Sequence, residues 1–374
     1  MSSNILIFID LLASLLTYPL ALIFRIRTRI FNYFRIKTNS NKILIIKFLG
    51  AGNFISLSNV IKTSEFHIIS IKQNKSSLQK FIPNAKLILL DETNIKNLFF
   101  TSSLIILKLL FSSYKIVINI EAESSFAKFL ASIPFSNSVS GLSNKYKSTW
   151  DYLFYDTYLV SPSNLNKDRI LKILLGEDKS QVNKLNKLTI DSFNNLNLEH
   201  KLVIKKNNLI ISPACSSTDR NRRLSIKIWG YILNNYAPHF KAVTINFPSK
   251  QDSQYIDFLC LLKLLNFNNV NLYVETFSEF TERIQNCDLL ITIDSQALHI
   301  AQKFNKPTIC FYGPTSPHGV KLLPSTIAIS KELECSPCTH KYFKLPCKNS
   351  IDCMKFNKKE IGIVPILFKK SKKL

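Results

Sequence analysis

Acidic residues are scarce in this 374-residue chain: 25 Asp and Glu stand against 49 Lys and Arg, a formal net charge of +24. So large a basic excess invites a nucleic-acid reading, yet the modules that would carry one are missing. There is no zinc-finger array and no platform of interleaved aromatic and basic residues, so no nucleic acid is expected as a partner. No internal sequence repeat is present. The apolar N-terminal run has neither a basic start nor a small-residue cleavage site, which argues against a secretory signal. What is present is enough apolar material, 46% of residues, for two domains of ordinary size, each with its own core.

The charge gathers at the ends. Residues 1–40 hold Arg25, Arg27, Arg29, Arg35 and Lys37 against Asp10, and residues 355–374 hold seven lysines against Glu360. Such clusters suit anionic lipid headgroups. The run from Ile5 to Phe24 has about the length of a membrane span, for which about 20 apolar residues suffice. However, Asp10, Ser14, Thr17, Tyr18, Ala21, Arg25 and Arg29 recur at helical spacing as one narrow polar stripe. That pattern favours a helix lying in the membrane interface over a true span. In either case the arginines beyond Phe24 keep the body of the protein on the cytoplasmic side.

Downstream, Lys42–Lys47 reads as a buried strand, followed by the turn Gly50-Ala51-Gly52-Asn53 and a helical run from Phe54 to Lys62. A strand, a glycine turn and a helix commonly open a nucleotide-binding domain. Further strands are expected at 66–71, 87–90 and 115–120, with helices at 78–81, 95–111 and 125–133 between them. Residues 165–200 are polar and rich in Asn and Lys, as a linker would be. A second series of strands follows at 208–212, 242–247 and 270–274.

That series ends in the most informative stretch of the chain. After Asp288, residues 289–293 form an apolar run that leads into Asp294-Ser295-Gln296, a helix carrying His299 follows, and a second apolar run ends at Gly313-Pro314-Thr315. This is a strand-helix-strand crossover, and ligands of such units sit at the carboxyl ends of the strands, where Asp294, Ser295 and Gly313 fall. A helix opening near Ser295 offers backbone N–H groups and the positive end of its dipole to a phosphate or diphosphate.

The pattern Asp294-Ser295-Gln296-x-x-His299, followed by Lys306-Pro307-Thr308 and Gly313-Pro314-Thr315, resembles the donor-binding segment of glycosyltransferase family nine, the family of the bacterial lipopolysaccharide heptosyltransferases. The usual form there is Asp-Thr-Gly-x-x-His, so Ser295 replaces Thr and Gln296 replaces Gly. The resemblance extends over about residues 42–365. It implies an α/β protein of GT-B type, with two Rossmann-like doubly wound domains facing a cleft, here preceded by a membrane-associated helix. The boundaries it suggests are 1–40 for the hydrophobic and basic membrane segment, 41–165 for the acceptor domain and 166–205 for the linker. A donor-binding domain with a cysteine cluster then covers 206–354, and a helix and basic tail cover 355–374.

Three more blocks match the family in order. In the first, with Gly50 and Gly52 shaping the turn, the family has a Gly-Asp whose Asp is the general base on the acceptor hydroxyl; Asn53 stands there, and a carboxamide cannot take that proton. The second, Val117–Ser125, supplies Glu121 and Glu123 at a strand end; Glu121 is the candidate base, the alternative being that both are solvated strand-end carboxylates. The third runs from Ile210 to Trp229, with Ser217, Thr218 and Arg222 on the family's hydroxyl-rich loop and basic position. Hydroxyls and a cation suit a diphosphate whose charge grows as the glycosidic bond breaks. The family usually has Lys where Arg222 stands; the other reading of the loop is a basic surface facing anionic lipid. His299 either donates to a phosphate or packs beneath it.

Four of the eight cysteines crowd into Cys335-x2-Cys338-x8-Cys347-x5-Cys353. This spacing allows a structural zinc, with buried free thiols as the alternative. No catalytic cofactor is expected, since no DxD-like pair sits where it would bind a metal. The function implied is inverting, metal-independent transfer of a heptose or related sugar from a nucleotide-diphosphate donor to a lipid-linked or oligosaccharide acceptor. The site would be the cytoplasmic face of a bacterial inner membrane, whose anionic surface is a further partner. The rival is a catalytically inactive, membrane-associated nucleotide-sugar binder on a decayed transferase scaffold.

Overall fold

The computed structural model describes residues 3–34, 38–48, 50–63, 65–122, 124–144, 148–161, 167–177, 202–215, 221–317, 320, 322–331, 333–338, 347, 350–362 and 366–368. The chain forms two compact units, Met1–Lys187 and Leu188–Leu374.

The first unit begins with α1 (Ser3–Tyr33), β1 (Ile43–Ile46), α2 (Ala51–Leu57), β2 (Phe66–Ile71), α3 (Lys75–Phe81) and β3 (Lys86–Leu90). It continues with α4 (Ile95–Leu110), β4 (Ser113–Asn119), α5 (Ser125–Ser132), β5 (Phe135–Asn144), β6 (Thr157–Ser161) and α6 (Lys167–Leu174). Its six strands lie in the order β3-β2-β1-β4-β5-β6, and every pairing is parallel. Parallel strands are covered on both faces, which is why β1 is a continuous apolar run and β2, apolar but for His67 and Ser70, is buried along its length. Above one face, Ile105 and Leu109 of α4, Ala127 and Leu130 of α5 and Ala21 of α1 share a core with Leu44, Ile46 and Val117. Beneath the other, Phe54 and Leu57 of α2, Leu78 of α3 and Leu171 of α6 pack on Ile45, Ile68 and Ile118. Helix α6 thus belongs to the core of this unit although its sequence reads as linker.

The second unit opens with β7 (Leu202–Ile204), β8 (Asn208–Ser212), α7 (Ile226–Tyr236), β9 (Ala242–Phe247), α8 (Tyr255–Leu265) and β10 (Val270–Val274). Then come α9 (Phe277–Asn286), β11 (Leu289–Ile293), α10 (Gln296–Lys303), β12 (Thr308–Tyr312), β13 (Thr326–Ser330), α11 (Lys358–Gly362) and β14 (Ile366–Phe368). Its main sheet, β10-β9-β8-β11-β12-β13, repeats the order of the first and is again parallel throughout. The expected α/β class with two Rossmann-like, doubly wound sheets is therefore the observed one. Within the stretch read as a basic tail, β14 pairs in parallel with β7.

Helix α1 packs against the first unit. Its stripe of polar and small residues faces the protein, with Thr17, Ala21, Arg25 and Thr28 all buried. Arg25 Nη2 meets Asp156 Oδ1 at 2.7 Å, and Arg29 Nη2 donates to the Tyr152 carbonyl at 2.9 Å. Asn32 Nδ2 donates to the Ser136 carbonyl of β5 at 3.0 Å, and the ring of Phe24 packs on that of Phe129 in α5. A buried guanidinium is tolerated only beside a counter-charge, so these contacts decide which face turns inward. Asp10 lies among residues whose side chains are outside the description. Among the described residues, no helix is long and apolar enough to cross a membrane.

Candidate functional site

In a sheet of order 3-2-1-4-5-6 the chain reverses direction between its first and fourth strands, and the crevice at their carboxyl ends is where ligands bind. Each unit brings polar groups together at that place.

In the second unit the switch point lies between β8 and β11. There Arg222 Nη1 donates to the Asp294 carbonyl at 3.2 Å and lies 3.5 Å from Asp294 Oδ2, with both side chains mostly buried. Two candidates 72 residues apart in sequence thus meet at the end of β11. The neighbouring Arg223 is committed elsewhere, in a two-point clasp on Asp252 at 2.7 Å from each nitrogen. Ser295 is the N-cap of α10 by position, but its hydroxyl makes no capping bond; it turns back to Thr292 Oγ1 at 3.2 Å, and Thr292 in turn donates to the Ser212 carbonyl at 2.9 Å. The N-cap hydroxyl thus makes no side-chain bond to the first turn of α10. Gln296 is half-buried at the first helical position and His299, one turn on, is buried. Ser217 and Thr218 lie outside the described residues.

Beyond β12, Ser336 Oγ donates to the Gly313 carbonyl at 2.5 Å and the Cys338 amide to the Pro314 carbonyl at 2.9 Å. Gly313 is needed for this close approach, because a β-carbon there would run into the Met354 side chain and come within 3.0 Å of Cys353 Sγ. Cys335, Cys338 and Cys347 all lie near enough to act on Cys353, whose thiol is pushed up to about 11, first by burial and then by those neighbours. Among the described residues, however, no three His, Cys, Asp or Glu side chains are grouped so as to hold a metal ion.

In the first unit the switch point lies between β1 and β4. Glu121 Oε1, just past β4, accepts from Lys47 Nζ at 2.8 Å and from the Phe48 amide at 2.7 Å, both just past β1. The pair is largely buried, at 9% and 12% side-chain exposure. Asn119 Oδ1 fixes the Glu121 amide at 2.9 Å, and Asn119 Nδ2 donates to the Tyr155 hydroxyl at 2.7 Å. Asn74 Nδ2 holds the Phe48 carbonyl at 2.7 Å. Gly50 precedes α2 in the left-handed region at φ 82°, where a side chain would be strained, and Gly52 is buried inside the helix. Asn53 is the third residue of α2; its side chain, like the whole of Glu123, is outside the description. Glu121 is thus no solvated strand-end carboxylate. Its partner Lys47 was missed as a functional residue because the two are 74 residues apart and only the parallel pairing of β1 with β4 brings them together.

The profile of glycosyltransferase family 9 (heptosyltransferase) matches residues 139–348, more than half of the chain. The chain belongs to glycosyltransferase family 9. The matched region covers the whole of the second-unit site, from β8 through the Gly313 turn. Over 66 residues this family 9 member is 39% identical to lipooligosaccharide heptosyltransferase 2 of Haemophilus influenzae, a stretch that makes up 17% of this chain and 19% of that protein. Among solved structures it shares its fold with the glycosyltransferase family 9 protein of Veillonella parvula, at a TM-score of 0.56 and 12% identity over 78% of this chain and 87% of that one. The E. coli heptosyltransferase WaaC with ADP is similar at a TM-score of 0.56 and 12% identity, over 77% of this chain and 92% of that one. E. coli ADP-heptose heptosyltransferase II follows at 0.52 and 14%, over 78% and 90%. At these identities the likeness establishes the GT-B fold.

Proposed function

We propose that the chain transfers a heptose or a related sugar from a nucleotide-diphosphate donor to a lipid-linked or oligosaccharide acceptor, inverting the anomeric centre without a metal ion. The observation that carries this reading is Arg222 held by Asp294 beside the opening of α10, at the switch point of the unit that the family profile covers. The diphosphate would sit on the first-turn amides of α10, with Arg222 taking up the charge that grows on the leaving nucleotide. Two neighbouring oxygens can be held at once by a guanidinium, and Asp294 keeps that group in place. These contacts do for the leaving group what a divalent cation would otherwise do. Related structures contain ADP and ADP-2-deoxy-2-fluoro heptose, which makes ADP-heptose the first donor to try.

Glu121 would receive the acceptor proton. Its Oε1 is engaged by Lys47 and the Phe48 amide, which hold the carboxylate in position for an incoming hydroxyl. Glu121→Gln should then leave the donor-induced rise in Tm intact while lowering transfer by about a hundredfold or more. Arg222→Ala should weaken donor binding by about tenfold. Turnover in the presence of EDTA should equal that without it. If no nucleotide-sugar raises Tm, the reading fails.

The carboxamide at position 53 favours a second reading, a binder that has lost turnover. A wild-type chain that binds ADP-heptose but never consumes it, with acceptor present, would establish that instead.

A further inference from the structure

Fifteen of the 21 large hydrophobic side chains found exposed among the described residues lie on α1, on α4 or on the residue directly after each. On α1 they include Leu15, Leu16, Ile23 and Ile26, between 50% and 80% exposed; on α4 they include Phe99 and Phe100, with Phe111 at its end 85% exposed. Both helices belong to the core layer above the same face of the first-unit sheet. A helix in an ordinary domain turns its apolar side inward, whereas α1 buries Thr17, Arg25 and Thr28 and presents Leu15, Leu16, Leu20, Ile23, Ile26 and Ile30 outward. An apolar surface of this extent marks an interaction site rather than ordinary exposure.

The charges beside it indicate what covers it. Helix α4 carries Lys96 and Lys108, both exposed, and no acidic residue. On α1, Arg29 is 42% exposed, and the only acidic residue of the helix is Asp10, near its start. An apolar ridge edged by cations, with almost no anion, matches the layered chemistry of an anionic bilayer, acyl chains beneath phosphates.

We propose that α1 and α4 together form a docking face that seats the first unit on an anionic lipid bilayer. The exposed Leu, Ile and Phe side chains enter the boundary between headgroups and acyl chains, and Lys96 and Lys108 lie at the level of the phosphates. The polar stripe of α1 is the attachment of that helix to its own protein. This inference does not depend on sugar transfer, and its test involves no sugar.

The experiment is sedimentation of the full-length chain with vesicles of phosphatidylglycerol and phosphatidylethanolamine, compared with phosphatidylcholine alone. Wild type is expected to partition onto the anionic vesicles. A Phe99→Ser/Phe100→Ser/Leu107→Ser variant, changed only at exposed positions, should lose about tenfold or more of that partition with Tm unchanged. Lys96→Gln/Lys108→Gln should lose about tenfold on anionic vesicles and nothing on neutral ones. A parallel Leu15→Ser/Ile23→Ser variant tests α1 in the same way. If the α4 variant binds like wild type while the α1 variant does not, the two-helix face is refuted. Absence of wild-type binding refutes it too, as does a stable dimer in lipid-free buffer that the α4 changes dissociate, since the face would then belong to a second copy.

Discussion

Replacing Asp156 by alanine should loosen α1 from the first unit, and the size of the effect follows from the burial of its partner. Arg25 is 1% exposed, and its Nη2 lies 2.7 Å from Asp156 Oδ1. Burial pulls the Arg25 pKa down and Asp156 pushes it back up, so that carboxylate is the counter-charge that makes the buried guanidinium tolerable. At an effective dielectric of about 20, the attraction at this distance is on the order of 6 kcal/mol, most of it offset by desolvation. Removing one partner of a fully buried pair costs about 3–5 kcal/mol. Because the Asp156 side chain is 35% exposed, the expected loss is smaller, about 2–3 kcal/mol. Part of this, about 1 kcal/mol, is the bond that Asp156 Oδ2 accepts from the Val139 amide of β5, which the alanine also removes. For a unit of this size the loss corresponds to a fall in Tm of roughly 5–10 °C, read by calorimetry, with earlier tryptic cleavage in α1. Adding Arg25→Met removes the stranded charge and should recover about 1–2 kcal/mol in a double-mutant cycle. If Asp156→Ala stays within about 0.5 kcal/mol of wild type, or the double variant is no better than the single, the helix is not held by this pair.

Three further outcomes are expected. Gly313→Ala should destabilise the second unit by about 1–3 kcal/mol in urea unfolding, because the new β-carbon collides with Met354 and presses on Cys353. His67, buried beside Tyr114 with Lys86, Lys42 and Lys108 nearby, has its pKa lowered to about 4 from 6.5, chiefly by burial. The unfolded chain therefore takes up this proton first. Stability should fall as pH drops from about 6.5 towards about 4, by on the order of 2 kcal/mol, and His67→Gln should flatten that slope. In thiol labelling at neutral pH, the exposed Cys260 should react before Cys353, Cys287 and Cys310, whose burial raises their pKa values; an early reaction at Cys287 would contradict the packing described.

How much was legible beforehand depended on whether a strand announces itself by apolar residues. Strands β1, β2, β11 and β12 do, since a parallel strand covered on both faces must be apolar along its length, and the crossover through Asp294 could be read from them alone. Strand β5 does not. It sits inside the sheet between β4 and β6, yet it reads Phe-Ser-Asn-Ser-Val-Ser-Gly-Leu-Ser-Asn. The ring of Tyr155 lies directly against Gly141 and leaves no room for a β-carbon there. Without an apolar run the strand carries no signal that periodicity can read.

The candidate site divides in the same way. The run through Asp294 and Ser295 and the turn at Gly313 could be located from composition and periodicity, because a strand end and a helix start are local properties of ten or so residues. Which groups meet there could not. Lys47 finds Glu121 across 74 residues and Arg222 finds Asp294 across 72, each pair joined only when a parallel sheet sets two distant strands side by side. The N-terminal helix makes the same point at larger scale. Its two-faced pattern is written in residues 3–33, but a hydropathy pattern carries no information about which face meets protein. Asp156 and the carbonyls of Ile133 and Tyr152 decided that by offering the arginines a partner indoors, and left the leucines outside.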